Sequence, residues 1–113
     1  GGSGTDTLKI TGLASSTVIN LSSLAANVTN TEAMDVADGS SEFIKISASA
    51  IQSIVGQGTS STFSLVLDSN DSIVIESGSY YTTNAGGSVY TFYNSDPTLG
   101  GATQIAQLNV STA

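Results

Sequence analysis

The oxygen-rich stretch at the start of the chain is the strongest candidate for metal chemistry. Residues 1–9 read GGSGTDTLK and match the nonapeptide G-G-x-G-x-D-x-U-x at every position, where U is a large apolar residue. Gly1, Gly2 and Gly4 can adopt positive φ values, so the loop can curl tightly and turn its carbonyl oxygens inward. The carboxylate of Asp6 adds to these carbonyls, and together they are the hard oxygen ligands that Ca²⁺ prefers. GGSG is also ordinary linker composition, and a flexible linker is the alternative interpretation.

Two further loops concentrate acidic residues. Asp68 and Asp71 lie in the sequence DSND between two apolar runs, and its oxygens are dense enough to chelate calcium. In the sequence DVADGSSE, the side chains of Asp35, Asp38 and Glu42 could converge. Asp, Asn and Gly also favour plain β-turns through local backbone hydrogen bonds, and a turn is the favoured interpretation of both loops. Asp68, Asp71, Asp35 and Asp38 remain candidate calcium ligands.

The excess of acidic residues limits the classes of molecule that this chain is expected to bind. Nine acidic residues face only two lysines, and the formal net charge is −7. Such a chain repels the phosphates of nucleic acids and the surface of an anionic membrane. No apolar run approaches the roughly 18 residues that span a bilayer, so membrane insertion is not expected. Acidic side chains with few basic partners repel one another and destabilise the compact state, and bound cations reduce this repulsion. Calcium is the natural candidate.

Two residue types that are common in active sites, His and Cys, are missing from the sequence. Their absence removes the usual general base, the thiol nucleophile and any disulfide. Lys45 alternates with Ile44 and Ile46, and we expect it to point to solvent rather than to activate a serine. No P-loop or dinucleotide fingerprint occurs, and no aromatic-lined cleft is expected around a pair of carboxylates. We therefore expect no enzymatic activity.

The aromatic residues are concentrated near the C-terminal end. All four tyrosines and Phe92 lie between residues 80 and 93. Tyrosines exposed on a sheet could stack on sugars or contact a protein, and Tyr90 and Tyr93 are the candidate ligand-binding residues. In the apolar run Val89–Tyr93, alternation places Tyr90 and Phe92 on one face and Tyr93 on the other. Cross-strand aromatic pairing that stabilises a sheet is the favoured alternative.

Short apolar runs bounded by turn residues predict an all-β domain. The predicted strands are Leu8–Ile10, Val18–Leu21, Ala33–Val36, Phe43–Ile46, Phe63–Leu67, Ser72–Ile75, Val89–Tyr93 and Ile105–Val110. Two brief helices are also predicted, one capped by Asn20 or Ser22, the other capped by Ser47 and ended by Gly56. We expect residues 1–113 to form one domain of two facing sheets, β-roll or β-solenoid-like. An antiparallel β-sandwich is the alternative, because its hairpins give the same spacing of strands.

Taken in order, these parts resemble the RTX-associated C-terminal domain of type I-secreted bacterial adhesins. The nonapeptide resembles the RTX repeat, and residues 4–8, GTDTL, correspond to the G-x-D-x-L strand that opens the domain in that family. Glu32 and Asp35 correspond to its E-x-x-D strand. A Ser-capped helix, two strands about an acidic turn and a Tyr-rich strand follow in the order of the family. Ahead of the fourth strand, members often carry an Asn-Asp pair where this chain has Ser41 and Glu42.

The resemblance implies a non-catalytic structural and export module of a secreted, calcium-dependent surface adhesin, active in cell adhesion and biofilm formation. It further implies type I secretion, a location outside the cell or on the bacterial surface, and the neighbouring domains of a larger adhesin as partners. One alternative is a module that binds a host or cell-surface glycan, peptide or protein through the tyrosine strand. Another is a domain of a surface-layer lattice, which shares this acidic composition rich in Thr, Ser and Gly.

Overall fold

The computed structural model describes residues 6–10, 12 and 15–112. The strands in these ranges are β1 (Thr7–Lys9), β2 (Thr17–Asn20), β3 (Ala33–Asp35), β4 (Glu42–Ile46), β5 (Thr62–Leu67), β6 (Ser72–Ile75), β7 (Tyr80–Thr83), β8 (Val89–Tyr93) and β9 (Gln104–Thr112). The helices are α1 (Leu21–Ala25), α2 (Ala48–Val55) and a 3₁₀ turn (Gly58–Ser60). All eight predicted strands are confirmed to within two residues at each end, and β7 is an addition.

The strands form two sheets of different size. Six strands make the larger sheet, in the order β1-β3-β5-β9-β8-β7, and three make the smaller one, in the order β2-β4-β6. Up to β6, successive strands alternate between the two sheets, so that each strand pairs in parallel with the strand two positions further along the chain. Strand β9 continues the parallel pairing next to β5. Antiparallel pairing occurs only at β7–β8 and β8–β9 among the described residues.

The expected fold class is wrong in both of its forms. The molecule is mixed α/β, with a mixed sheet, a parallel sheet and two helices, and it is neither an all-β roll nor a solenoid. It is not an antiparallel sandwich either, since parallel pairs join most neighbouring strands. Two insertions break any regular repeat: a helix of 8 residues follows β4, and an antiparallel hairpin follows β6. Strand spacing alone could not reveal these features, because it is the same for parallel and antiparallel neighbours.

The buried side chains of both sheets and of α2 share one hydrophobic core. Its members are Ile19, Leu21, Met34, Val36, Ile44, Ile46, Ala50, Ile51, Ile54, Val55, Phe63, Leu65, Leu67, Phe92, Ala106 and Leu108. Strand β4 shows how alternation builds this core. Ile44 and Ile46 are buried, Phe43 and Lys45 are exposed, and Glu42 lies on the buried side. The prediction that Lys45 points to solvent is confirmed, and the same alternation directs the carboxylate of Glu42 inward.

Capping residues determine where the helices begin and end. The Asn20 side chain accepts a hydrogen bond from the backbone N–H of Ser22 at 3.0 Å and begins α1. The Ser47 hydroxyl accepts one from the backbone N–H of Ala50 at 3.2 Å and begins α2. Helix α2 ends at Gly56, whose φ of 78° is a left-handed conformation that favours glycine. The predicted caps are confirmed. No helix in the described ranges has the length and apolar character of a bilayer-crossing segment.

Candidate metal centre

Two stacked turns form the frame of the candidate site. The first turn (residues 36–41) joins β3 to β4, and the second turn (residues 68–71) joins β5 to β6. Because β3 pairs with β5 and β4 pairs with β6, the two turns lie side by side at one end of both sheets. Residues that are distant in sequence therefore become neighbours through strand register, and only when both sheets have formed.

Hydrogen bonds between the two turns fix their relative position. The backbone N–H of Gly39 donates to Oδ2 of Asp68 at 2.6 Å. The backbone N–H of Glu42 donates to Oδ1 of Asp71 at 2.8 Å. A third bond, 3.0 Å long, runs from the Ser41 hydroxyl to a backbone carbonyl of the second turn. Both aspartates are thus held in place by backbone donors of the first turn and of the first residue of β4.

Bonds within each turn orient the same aspartates. In the first turn, the backbone N–H of Ser40 donates to Oδ1 of Asp38 at 3.0 Å. In the second turn, the backbone N–H of Asp68 donates to Oδ2 of Asp71 at 2.8 Å, and the N–H of Asp71 donates back to the Asp68 carbonyl at 3.1 Å. These are the local hydrogen bonds that make Asp a preferred turn residue. Turn formation and carboxylate placement therefore have the same cause.

Three carboxylates converge where the turns meet. One oxygen from each of Asp38, Glu42 and Asp68 lies within 4.8 Å of the other two. Glu42 is 0% exposed, whereas Asp38 and Asp68 are half-buried. Neither carboxylate oxygen of Glu42 has a hydrogen-bond partner among the described residues. A fully buried carboxylate without a partner is rare, because the group loses its hydration and gains nothing in return.

The environment of Glu42 raises its pKa to about 7, from an ordinary value of 4.5. Desolvation by burial is the largest cause, followed by the negative charges of Asp71 and Asp38 and by hydrogen bonding of the protonated form to these two residues. Lys45 does not offset this charge, since it lies on the exposed face of the same strand. The site is therefore a concentration of negative charge that a cation would relieve.

The donor set fits a hard cation. Asp38, Glu42 and Asp68 offer carboxylate oxygens only, and no donor group of the described residues holds the charged form of Glu42. Oδ2 of Asp68 accepts one backbone N–H and has a second lone pair that a metal ion can use. Asp71 adds negative charge and bonds the backbone of Glu42. This acidic cluster (Asp38, Glu42 and Asp68) could bind a metal ion.

The structure brings together some of the residues that the sequence named and separates others. Asp38 and Asp68 belong to the acidic cluster, and Asp71 contacts it. Asp35 does not belong to it, because Oδ1 of Asp35 accepts a hydrogen bond from the backbone N–H of Ala37 at 3.0 Å within its own turn. Glu42, which the sequence named as able to converge with Asp38 but which was not among the candidate calcium ligands, belongs to the cluster. The sequence signal for it was its place two residues before Ile44, on the buried face of β4.

The described part of the nonapeptide, residues 6–9, contributes no side chain to the acidic cluster. Gly1, Gly2 and Gly4 fall outside the described residues, so the predicted loop cannot be compared with the structure. The backbone N–H of Asp6 donates to Oε1 of Glu32 at 2.8 Å. Oδ2 of Asp6 is buried and has no partner among the described residues. Calcium binding at the nonapeptide thus stays a prediction.

The tyrosines form a packed surface on the β7–β8 hairpin. The ring of Tyr90 lies 5.8 Å from that of Tyr81 and packs against the core. Tyr81 also lies 5.9 Å from Phe92, which is fully buried. The Tyr93 hydroxyl lies on the other face, 3.5 Å from the hydroxyl of Thr82. Cross-strand aromatic packing is therefore present at Tyr90, and both candidate ligand-binding residues, Tyr90 and Tyr93, are half-buried.

Comparison with known proteins identifies no relative of this chain. No family model matches the chain, and searches of curated proteins and of solved structures found no similar protein.

Proposed function

We propose that this chain is a non-catalytic structural module whose folded state is stabilised by calcium bound at Asp38, Glu42 and Asp68. The observation that carries the proposal is the carboxylate of Glu42, which is 0% exposed and unpaired in the described structure. Removing one partner of a buried charge pair costs roughly 3 to 5 kcal/mol, because the remaining charge is buried without compensation. The carboxylate of Glu42, buried beside other acidic side chains, is in the same situation. A bound cation supplies the missing partner.

Calcium fits the acidic cluster better than other common metals do. Its ligands are carboxylate oxygens, whereas zinc favours the nitrogen and sulfur of His and Cys, and this chain contains neither residue. Magnesium demands near-ideal octahedral geometry and usually retains several waters, while calcium accepts about six to eight oxygens in flexible arrangements. Two short turns with half-buried aspartates offer that flexible arrangement.

The mechanism is thermodynamic linkage between metal binding and folding. The acidic cluster exists only after β3 has paired with β5 and β4 with β6. Calcium therefore binds the folded state and not the unfolded chain, which lacks the site. Binding of this kind adds stability of RT ln(1 + [Ca²⁺]/Kd), about 2.7 kcal/mol when free calcium is about 100 times Kd. Low calcium favours the open chain, and high calcium favours the folded one.

Such a switch suits an exported module of a bacterial surface adhesin. The support comes from the resemblance to RTX-associated domains, from the net charge of −7 and from the absence of Cys and His. Within this proposal the chain is secreted by a type I system, folds outside the cell where calcium is plentiful, and connects to neighbouring domains of the adhesin. Its role in adhesion and biofilm formation is structural. An export assay of a passenger fused to this chain tests that part separately.

Thermal unfolding followed by circular dichroism tests the calcium proposal. We expect millimolar calcium to raise the melting temperature of the wild type by many degrees relative to the chelated protein. Glu42→Gln is expected to remove most of that increase, and Glu76→Gln, a half-buried glutamate outside the acidic cluster, is the matched control. Equal melting temperatures with calcium and with chelator would refute the proposal.

A further inference from the structure

A cleft of about 330 Å³ opens at the other end of β4 from Glu42. Three parts of the chain line it: the start of α2, the turn from β6 to β7, and the end of β8. Backbone bonds hold the walls in place. The N–H of Glu76 donates to the Ile46 carbonyl at 2.9 Å, and the N–H of Asn94 donates to the Thr103 carbonyl at 3.0 Å. The cleft is thus formed by the packing of several elements rather than by one loop.

Two tyrosines stand opposite each other at this cleft. Tyr80 of β7 and Tyr93 of β8 are register partners in the antiparallel pair, and both line the cleft. Side chains at such positions are about 5 Å apart at Cβ, so the rings are close neighbours. Tyr80 is 46% exposed. Ile105, which is half-buried, adds apolar surface to the lining, and the fully buried Phe92 lies behind it.

Polar side chains with unused hydrogen-bond donors or acceptors line the cleft beside these two tyrosines. In the described part of the chain, the side chains of Glu76, Ser77, Ser79 and Tyr80 make no hydrogen bond. Asn94 uses its Oδ1 to accept from the backbone N–H of Thr103 at 2.9 Å, which leaves its NH₂ group as a donor. Donors and acceptors of several kinds therefore point toward a cleft that also has apolar surface.

The charge of the lining excludes most other ligands. Residues 77–95 contain no charged side chain, and Glu76 is the only charged residue that lines the cleft in the described part of the chain. Among the lining residues that the structure describes, there is no Lys or Arg to pair with a phosphate, a sulfate or a carboxylate. The volume of about 330 Å³ is at the lower end of the range for small-molecule sites. A small, uncharged ligand with many hydroxyls fits these conditions.

We propose that this cleft binds a neutral saccharide, with Tyr80 and Tyr93 contacting the apolar faces of the sugar ring. Glu76, Ser77, Ser79 and Asn94 provide the hydrogen bonds to its hydroxyls. A peptide would be recognised differently, because an extended chain would pair with the free edge of β7, which ends the six-stranded sheet. This assignment concerns other residues than the acidic cluster and does not depend on calcium binding.

Titration of the ¹⁵N-labelled protein, followed by ¹H–¹⁵N correlation spectra, tests the assignment. The probes are maltose, cellobiose, lactose and N,N′-diacetylchitobiose, each added to tens of millimolar in calcium-containing buffer. We expect at least one disaccharide to give saturable shifts confined to residues 47–49, 76–80 and 92–94. Tyr80→Ala should weaken that binding by about tenfold, the equivalent of losing one favourable aromatic contact. Tyr81→Ala, on the same strand but the opposite face, should leave it unchanged.

Several results would overturn the assignment. One is the absence of saturable shifts with every disaccharide in the folded wild type. Another is saturable binding that Tyr80→Ala and Tyr93→Ala leave unaltered. A third is shifts along β7 with an uncharged tetrapeptide and none with sugars, which would identify a peptide site instead. Melting temperatures of all variants are measured in parallel. If Tyr80→Ala unfolds the protein, two milder variants are used in its place. These are Tyr80→Phe, which keeps the ring, and Ser79→Ala.

Discussion

Replacement of Glu42 by Gln separates the two roles of this buried carboxylate. Gln has nearly the same shape as Glu, carries no charge, and can donate its amide hydrogens to the neighbouring carboxylates of Asp38 and Asp71. In the absence of calcium, the substitution removes a buried charge that the fold does not neutralise. In the presence of calcium, it removes a ligand. We therefore expect the variant to be more stable than the wild type without calcium and less stable with it.

The magnitude follows from the pKa of Glu42. Its rise from 4.5 to about 7 corresponds to roughly 3 kcal/mol against the charged folded state, at about 1.4 kcal/mol for each pKa unit. Water around the half-buried aspartates screens their repulsion, which reduces the effect to about 2 kcal/mol. For a domain of this size, 2 kcal/mol corresponds to a melting temperature difference of about 8 °C.

The same pKa fixes the sign of the pH dependence. The folded state binds the Glu42 proton more tightly than the unfolded chain does, because the folded pKa is the higher one. The corresponding stability is fully present below about pH 4.5 and is lost as the pH rises through about 7. The calcium-free wild type should therefore lose stability between pH 5 and pH 8, opposite to the usual behaviour of a paired carboxylate. Glu42→Gln should lack this contribution.

The assay is thermal unfolding at pH 5 and at pH 8, with calcium removed and with calcium restored. Glu76→Gln controls for the loss of one negative charge elsewhere in the fold. The decisive comparison is at pH 8 without calcium. A variant that is equally stable or less stable than the wild type there would refute the reasoning, because the buried charge would then be neutralised by something else.

Three further substitutions test the fold and the site. Asp68→Asn should weaken calcium binding measured by titration calorimetry by at least about tenfold, whereas Asp35→Asn, at an aspartate outside the acidic cluster, should leave it unchanged. Ser47→Ala should lower the free energy of unfolding in urea by about 1 kcal/mol, because α2 loses its N-cap. Gly56→Ala should destabilise by roughly 1 to 2 kcal/mol in the same assay, since φ is 78° and the new Cβ would meet Oδ1 of Asn30 at 3.0 Å. Equal unfolding midpoints for wild type and either of the last two variants would contradict the corresponding explanation.

Local features of this fold could be predicted from sequence because each has a local cause. Alternation along Phe63–Leu67 and Phe43–Ile46 marks strands with one buried face. Ser47 and Gly56 mark the ends of a helix through their own hydrogen bonds and backbone conformation. Strand β7 was missed because its sequence, YYTT, does not alternate and all of its residues are exposed. It is held in place by its pairing with β8 rather than by burial.

Pairing could not be predicted, since it depends on residues far apart in the sequence. The same strand spacing fits a hairpin and a parallel crossover, and only the structure shows that β3 pairs with β5 in parallel. The candidate site has the same limitation. Turn composition pointed to Asp38 and Asp68, but their convergence depends on register between distant strands. Turn composition also indicated that Glu42 could converge with Asp38, and its burial follows from the period-two alternation of β4, which places it on the same face as Ile44.

The position of β9 has a consequence for how the chain can fold while it is being made. In the six-stranded sheet β9 lies between β5 and β8, although it is the strand furthest along the sequence. During synthesis from the N-terminus, β5 is made before β9. Until β9 follows, one edge of β5 stays unpaired, and β5 carries a row of apolar side chains. The larger sheet cannot close until residues 104–112 have left the ribosome. Closure of the larger sheet therefore depends on pairing between residues 45 positions apart in the sequence, and such non-local pairing slows folding.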